Sequence, residues 1–198
     1  MRKKSHIELS RFLATNVPSE ILDCHRKAFI IGSVLPDCKP SFITTKHNID
    51  ETFDLLSKFI SDCTVKSSEE FRRISTDYCV KLGEITHYIA DYFTYPHNSI
   101  YLGNLKDHCL YEKYLKTSLK EYVRGNSVVV DKEAVLKLET PSMILDYIKS
   151  KHELYLKEEK SLKNDCSFIV SICYVVVVAV LNICQSLLLN HSSKLCIQ

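Results

Sequence analysis

The sequence predicts an all-α fold: a multi-helix bundle forming a single domain over residues 1–198. Three observations predict it. Apolar residues recur at helical spacing along most of the chain. Only four glycines and five prolines punctuate 198 residues, too few for the turns of a β protein. One segment, "SFIVSICYVVVVAVLNICQSLLL" at 167–189, is apolar nearly all round, as the central rod of a bundle is.

The elements follow in order. "SHIELSRFLATN" opens with Ser5 as candidate N-cap and has Ile7, Phe12 and Leu13 as its apolar positions. Pro18-Ser19-Glu20 starts a second helix, which ends at Gly32 and Pro36. Residues 37–48 read as an irregular loop. "IDETFDLLSKFISDC" gathers Phe53, Leu56, Phe59 and Ile60 on one face. A long helix runs from a cap at Ser67-Ser68-Glu69-Glu70 to a stop at Pro96. Another spans 105–123, "GNSVVVD" at 125–131 breaks the chain, and two more cover 141–157 and 165–189. The last is long enough to cross a bilayer, which takes about 20 residues. Ser171, Asn182, Gln185 and Ser186 interrupt it, however, and the other helices need a core element. A buried rod is therefore the expectation, with a C-terminal membrane anchor at 167–189 as the alternative. The run "VVVVAV" would also suit a strand, but no partner strand of similar character is present.

Composition narrows the class. Apolar residues at 45% and charged residues at 25% are ordinary for a soluble globular protein. A net charge of +2 makes no case for nucleic acid or an anionic membrane. The nine cysteines are odd in number, scattered, and form no C-x-x-C pair, as expected of reduced thiols in a cytoplasmic protein. "MRKKSHIELS" has a basic cluster with no apolar run behind it, so a secretory signal is not expected.

Chemistry concentrates in "THYIADYFTYPHNSIYLGNLKDHCLYE", residues 86–112. Residues four apart share a helix face, so His87 pairs with Asp91 and His108 with Glu112. Imidazole and carboxylate at that offset can chelate one zinc ion. A lone pair of this kind is usually a solvated helix face. Two on consecutive helices, with His97 between them and aromatic neighbours around them, point to a metal site inside the bundle. His6, Asp37 and His47 are further candidates upstream. His25, His152 and His191 lie in charged or polar surroundings and read as surface residues.

In order, His6, "GSVLPD" ending in Asp37, His47, "HYIAD" with His87 and Asp91, His97, and "HCLYE" with His108 and Glu112 resemble the zinc-dependent phospholipase C family. That family shares its fold and trinuclear zinc site with the single-strand-specific zinc nucleases. The resemblance runs over roughly residues 1–115 and implies up to three zinc ions between the helices. Asp37, His47, His87 and Asp91 would hold one; His97, His108 and Glu112 a second. Asp91 would bridge to a third, which His6 also binds. In secreted relatives that ion takes the α-amino group of an N-terminal tryptophan. This chain has no tryptophan. Met1, five residues ahead of His6, is the candidate amine ligand, with a weak or vacant third site as the alternative.

The implied activity is a zinc-dependent phosphodiesterase, phospholipase C-like, in which a zinc-bound hydroxide attacks the phosphate. Asp37 is the candidate catalytic residue, orienting water or acting as general base. A phosphate ester, with a phospholipid among the candidates, is the expected substrate; nucleic acid is the weaker candidate and a small phosphodiester stays open. A choline-binding aromatic cage finds little support: Phe42 is the one aromatic in the 37–48 loop, with Tyr92, Tyr95 and Tyr101 as other candidates. Lys39 and Lys46 suit a second anionic group better. A metal-binding protein without turnover is the remaining alternative.

Overall fold

A computed structural model describes residues 1–40, 45–65, 76–125 and 128–195. Among them lie nine α-helices, two 3₁₀ turns and no strand, the all-α architecture the sequence predicts.

Helix α1 (Lys3–Asn16) starts ahead of Ser5, which is buried inside it, and Arg2 holds the cap position. The expected helix after Pro18 is in fact two, α2 (Glu20–Cys24) and α3 (Arg26–Gly32). Ser19 caps α2 by accepting the Leu22 N–H. The break falls at His25, where neither proline nor glycine marks it, so apolar periodicity reads through. A 3₁₀ turn at Pro36–Cys38 leads away, and α4 (Ile49–Val65) extends the predicted helix slightly. Helix α5 (Thr76–Tyr92) is the described part of the long helix; its predicted cap at 67–70 lies outside the described residues. It stops at Tyr92 rather than Pro96, because Pro96 belongs to a separate 3₁₀ turn, Tyr95–His97.

Beyond it, α6 (Leu105–Arg124) opens with a capping box made by Asn104 and Asp107. A short α7 (Lys132–Lys137) follows the break. Thr140 caps α8 (Pro141–Lys157), with Pro141 at its first position. Helix α9 (Leu162–Leu195) is the rod. Ile169, Val170, Cys173, Val175, Val176, Val177, Ala179 and Val180 are wholly buried, and α1, α4, α5, α6, α7 and α8 pack on the helix. Fully burying one such valine contributes about 1.5–3 kcal/mol, so the three buried valines of the run of four outweigh its β-propensity. The strand alternative for "VVVVAV" is thereby overturned.

Two of the four glycines set the geometry of the site. At the α3–α5 crossing, a Cβ on Gly32 would overlap the backbone of Val80, and one on Gly83 the backbone of Phe29. The two helices consequently meet backbone to backbone. That approach carries the carbonyl of Ser33, just past α3, onto the ring of His87 one turn further along α5.

Candidate metal centre

Helix α5 presents His87 and Asp91 on one face, both fully buried. His87 donates Nδ1–H to the Ser33 carbonyl at 2.9 Å, which turns the Nε2 lone pair inward. That Nε2 lies 2.9 Å from His47 Nδ1 and 3.3 Å from Asp91 Oδ2. His47 enters ahead of α4, its Nδ1 also 3.3 Å from Asp91 Oδ2. Asp37, from the first 3₁₀ turn, brings Oδ1 to 3.6 Å from His87 Nε2 and 3.8 Å from His47 Nδ1. Burial pushes the Asp37 carboxyl upward in pKa.

On the other side of Asp91, α1 supplies His6. Its ring stacks on that of His87 with centroids 3.9 Å apart, and its Nε2 is 3.4 Å from Asp91 Oδ1. Neither ring nitrogen of His6 makes a hydrogen bond, though the residue is buried. Burial, reinforced by His87, depresses its pKa to about 3. The amino group of Met1 sits against Asp91 Oδ1, 3.0 Å from His97 Nε2 and 3.3 Å from Glu112 Oε1. Burial opposes the charge of Asp91, yet the Met1 ammonium and the rings of His97, His87 and His6 hold its carboxyl well below the usual range.

His97, from the second 3₁₀ turn, donates Nδ1–H to the His47 carbonyl at 3.1 Å and so aims Nε2 at Glu112 Oε1, 3.2 Å away. His108 reaches the same oxygen at 3.1 Å from one turn earlier on α6. Burial works against Glu112's charge, but His108 and His97 keep its carboxyl far below the ordinary value.

The eight side chains singled out by sequence thus converge from six parts of the chain. They form three donor groups, the first two sharing His87: His6, His87 and Asp91; Asp37, His47 and His87; His97, His108 and Glu112. Within each group the donor atoms lie inside 4.8 Å of one another. The donor chemistry fits zinc. Imidazole nitrogens and carboxylate oxygens are its ligands, two of the histidines are held by Nδ1–H bonds to backbone carbonyls, and the buried nitrogens of His6 make no hydrogen bond. The Met1 ammonium, touching Asp91 and Glu112, shows that cationic charge is at home in the centre.

Several expectations change here. His152, read as a surface residue, is buried and bonds Asn98 Oδ1 at 2.7 Å. Lys39 pairs with buried Glu84, which Lys81 also contacts at 2.8 Å, so Lys39 is engaged rather than waiting for an anion. Burial opposes Glu84's charge, and those two ammonium groups still hold its pKa below normal. Tyr92 is buried with its hydroxyl 3.0 Å from that of Thr52, which removes it from any aromatic cage. Phe42 lies outside the described residues. Sequence reasoning also missed Ser33, whose backbone carbonyl carries no side-chain signal.

Fold and donor set together define an all-helical protein with a histidine- and carboxylate-lined metal centre. The family model for zinc dependent phospholipase C matches residues 5–162, most of the chain, and the protein belongs to that family. Membership makes it a zinc-dependent hydrolase by class. No curated protein and no solved structure gives a significant match.

Proposed function

We propose that the protein is a phosphodiesterase of phospholipase C type, using up to three zinc ions held by the eight side chains and the Met1 amino group. The observation that carries this reading is the sharing of His87 between two donor groups, with Asp91 in contact with a histidine of each of the three. Asp91 turns Oδ1 toward His6 and Met1, and Oδ2 toward His47 and His87. A carboxylate used on both edges suits neighbouring cations and is wasteful for one. Zinc, when bound there, supplies positive charge for a phosphate and acidifies water near neutral pH.

The chain's own groups divide the remaining work. His87 and His47 are buried and fix the floor of the site. Asp37, its carboxylate 3.6 Å from His87 Nε2 and 3.8 Å from His47 Nδ1, would orient a water, take its proton as the new phosphorus–oxygen bond forms, and return it to the departing oxygen so that an alcohol leaves. His97, His108 and Glu112 are the part open to solvent, with side chains 14%, 27% and 15% exposed, so the phosphate arrives on their side. The chain between His97 and His108 exposes Ile100, Leu102 and Leu105, Leu102 at 95%, with Tyr101 as its one aromatic, its ring 6.1 Å from that of His108. Leucine cannot stack on a base, but it can enter a layer of acyl chains. The rim therefore favours a phospholipid over a nucleic acid.

The test is elemental analysis of protein carrying no residues ahead of Met1, followed by assay on phosphatidylcholine vesicles and a single-stranded oligonucleotide. Close to three zinc ions per chain are expected, matching the three donor groups, with cleavage of the lipid. Two residues added before Met1 should remove one ion. No zinc uptake after supplementation would sink the reading.

A further inference from the structure

Asp165 is buried beyond reach of water, yet the donor groups do not use it. It lies in the first turn of α9, past the end of the family match at 162. Three hydrogen bonds hold its carboxylate. Oδ2 accepts the Tyr95 N–H and the Tyr111 hydroxyl, both at 2.9 Å, and Oδ1 accepts the Tyr155 hydroxyl at 2.8 Å. Tyr155 belongs to α8 and, with the rings of Phe93 and Phe168, walls in the carboxylate's surroundings.

Burying a carboxylate is costly unless its bonds do something an apolar contact cannot. The identity of its partners shows what that is. Tyr95 stands two residues before His97 in the same 3₁₀ turn, and Tyr111 directly precedes Glu112 on α6. One oxygen atom, Oδ2, therefore ties together the two elements whose ligands must meet at 3.2 Å. The rings of Tyr95 and Tyr111 also touch, with centroids 5.8 Å apart. On the far side of the same corner, Asn98 is held by His152 of α8 at 2.7 Å and donates to the carbonyls of Tyr92 and Thr94.

We infer that Asp165 is a positioning residue for the solvent-facing donor group: through Tyr95 N–H and Tyr111 O–H it fixes His97 against Glu112 at metal-binding spacing. The role rests on the metal-centre reading proposed above. It makes the C-terminal helix part of the site's machinery as well as of its core. The carboxylate touches neither ligand nor substrate; it acts through the two tyrosines. Loss of the Oδ2 bonds leaves the His6 and Asp37 groups untouched, since none of their residues is bonded to it.

The test is a zinc titration of the full chain, with ions counted and ranked by chelator competition, on wild type, Asp165→Asn and Tyr111→Phe. Tyr111→Phe keeps the ring and deletes one bond; Asp165→Asn keeps the shape and removes the charge. Both should weaken one of the bound ions by tenfold or more and leave the others at their wild-type affinity, the usual effect of disturbing groups that orient a ligand. Ile144→Val, a buried change in α8, serves as control and should lower thermal stability without touching zinc. If Asp165→Asn fails to fold, Tyr111→Phe decides alone. Wild-type zinc affinities in the variants, with only their melting points reduced, would overturn the positioning role. A wild-type chain that takes up no zinc would instead overturn the metal centre, and this role with it.

Discussion

His87 and His152 show what a residue's neighbours reveal and what they hide. His87 has its carboxylate partner four positions along the same helix, so the pair was legible by counting. His152 sits in "KSKHELY", whose charges suggest solvent, while its partner Asn98 is 54 positions away. No local pattern encodes such a contact. Asp165 was missed for the same reason, its donors lying on three other elements. His152 also carries a prediction. Burial lowers its pKa below the usual imidazole value, so the folded chain keeps it neutral. The unfolded chain takes up a proton near pH 6.5 and thus binds more protons than the folded one below that value. The contribution to stability is complete above about pH 6.5 and is lost as pH falls toward the folded pKa. In zinc-free protein the urea midpoint should decline from pH 7 to pH 5, and His152→Gln should make that decline shallower. An unchanged slope in the variant would show that this histidine takes up its proton equally in the folded and unfolded chain.

Whole elements were read best where their ends carry local chemistry. The predicted 105–123 and 141–157 segments agree with α6 and α8 almost to the residue, since Asn104 and Thr140-Pro141 mark their starts. The α2–α3 break and the six-residue α7 had no such marker. Helix α6 also shows how one stripe can serve chemistry and access together. Leu105 precedes His108 by three residues and Glu112 by seven, and so shares their face at the open end of the helix. It is 78% exposed there, beside Leu102 at 95%. Two leucines leaving water for lipid contribute about 1.5–3 kcal/mol each. The double variant Leu102→Ser with Leu105→Ser should therefore slow hydrolysis of vesicle phospholipid by roughly tenfold or more, a step of about 1.4 kcal/mol. Hydrolysis of a monomeric short-chain phospholipid, and the melting point, should stay near wild type. Equal losses on both substrates would remove the rim from any role at a lipid surface.

At the scale of the molecule, two kinds of burial meet. Helix α9 is long and apolar enough, by length and composition, to cross a membrane, yet most of its valines are buried and six other helices pack on it. We read it as the bundle's rod. Against that apolar mass the fold sets Asp37, Asp91 and Glu112 with five histidines, drawn from three helices, two 3₁₀ turns and the approach to α4. Three carboxylates in so enclosed a place repel one another, and among the described residues the Met1 ammonium is the cation closest to Asp91 and Glu112. Zinc that binds the folded chain and not the unfolded one must then stabilise it by mass action. At a free concentration 100 times the dissociation constant, one site contributes about 2.7 kcal/mol. For a chain of this size each kcal/mol moves the melting point by about 2–4 °C. Zinc should thus raise the melting point by roughly 5–10 °C for the first site alone. His87→Ala, which removes a ligand from two groups, should abolish most of the rise while leaving the chelated protein's melting point less affected. The shift is read by scanning calorimetry with and without a strong chelator. A melting point indifferent to both zinc and chelator would mean that the convergence of eight ligands serves packing alone, and that the hydrolase has lost its metal.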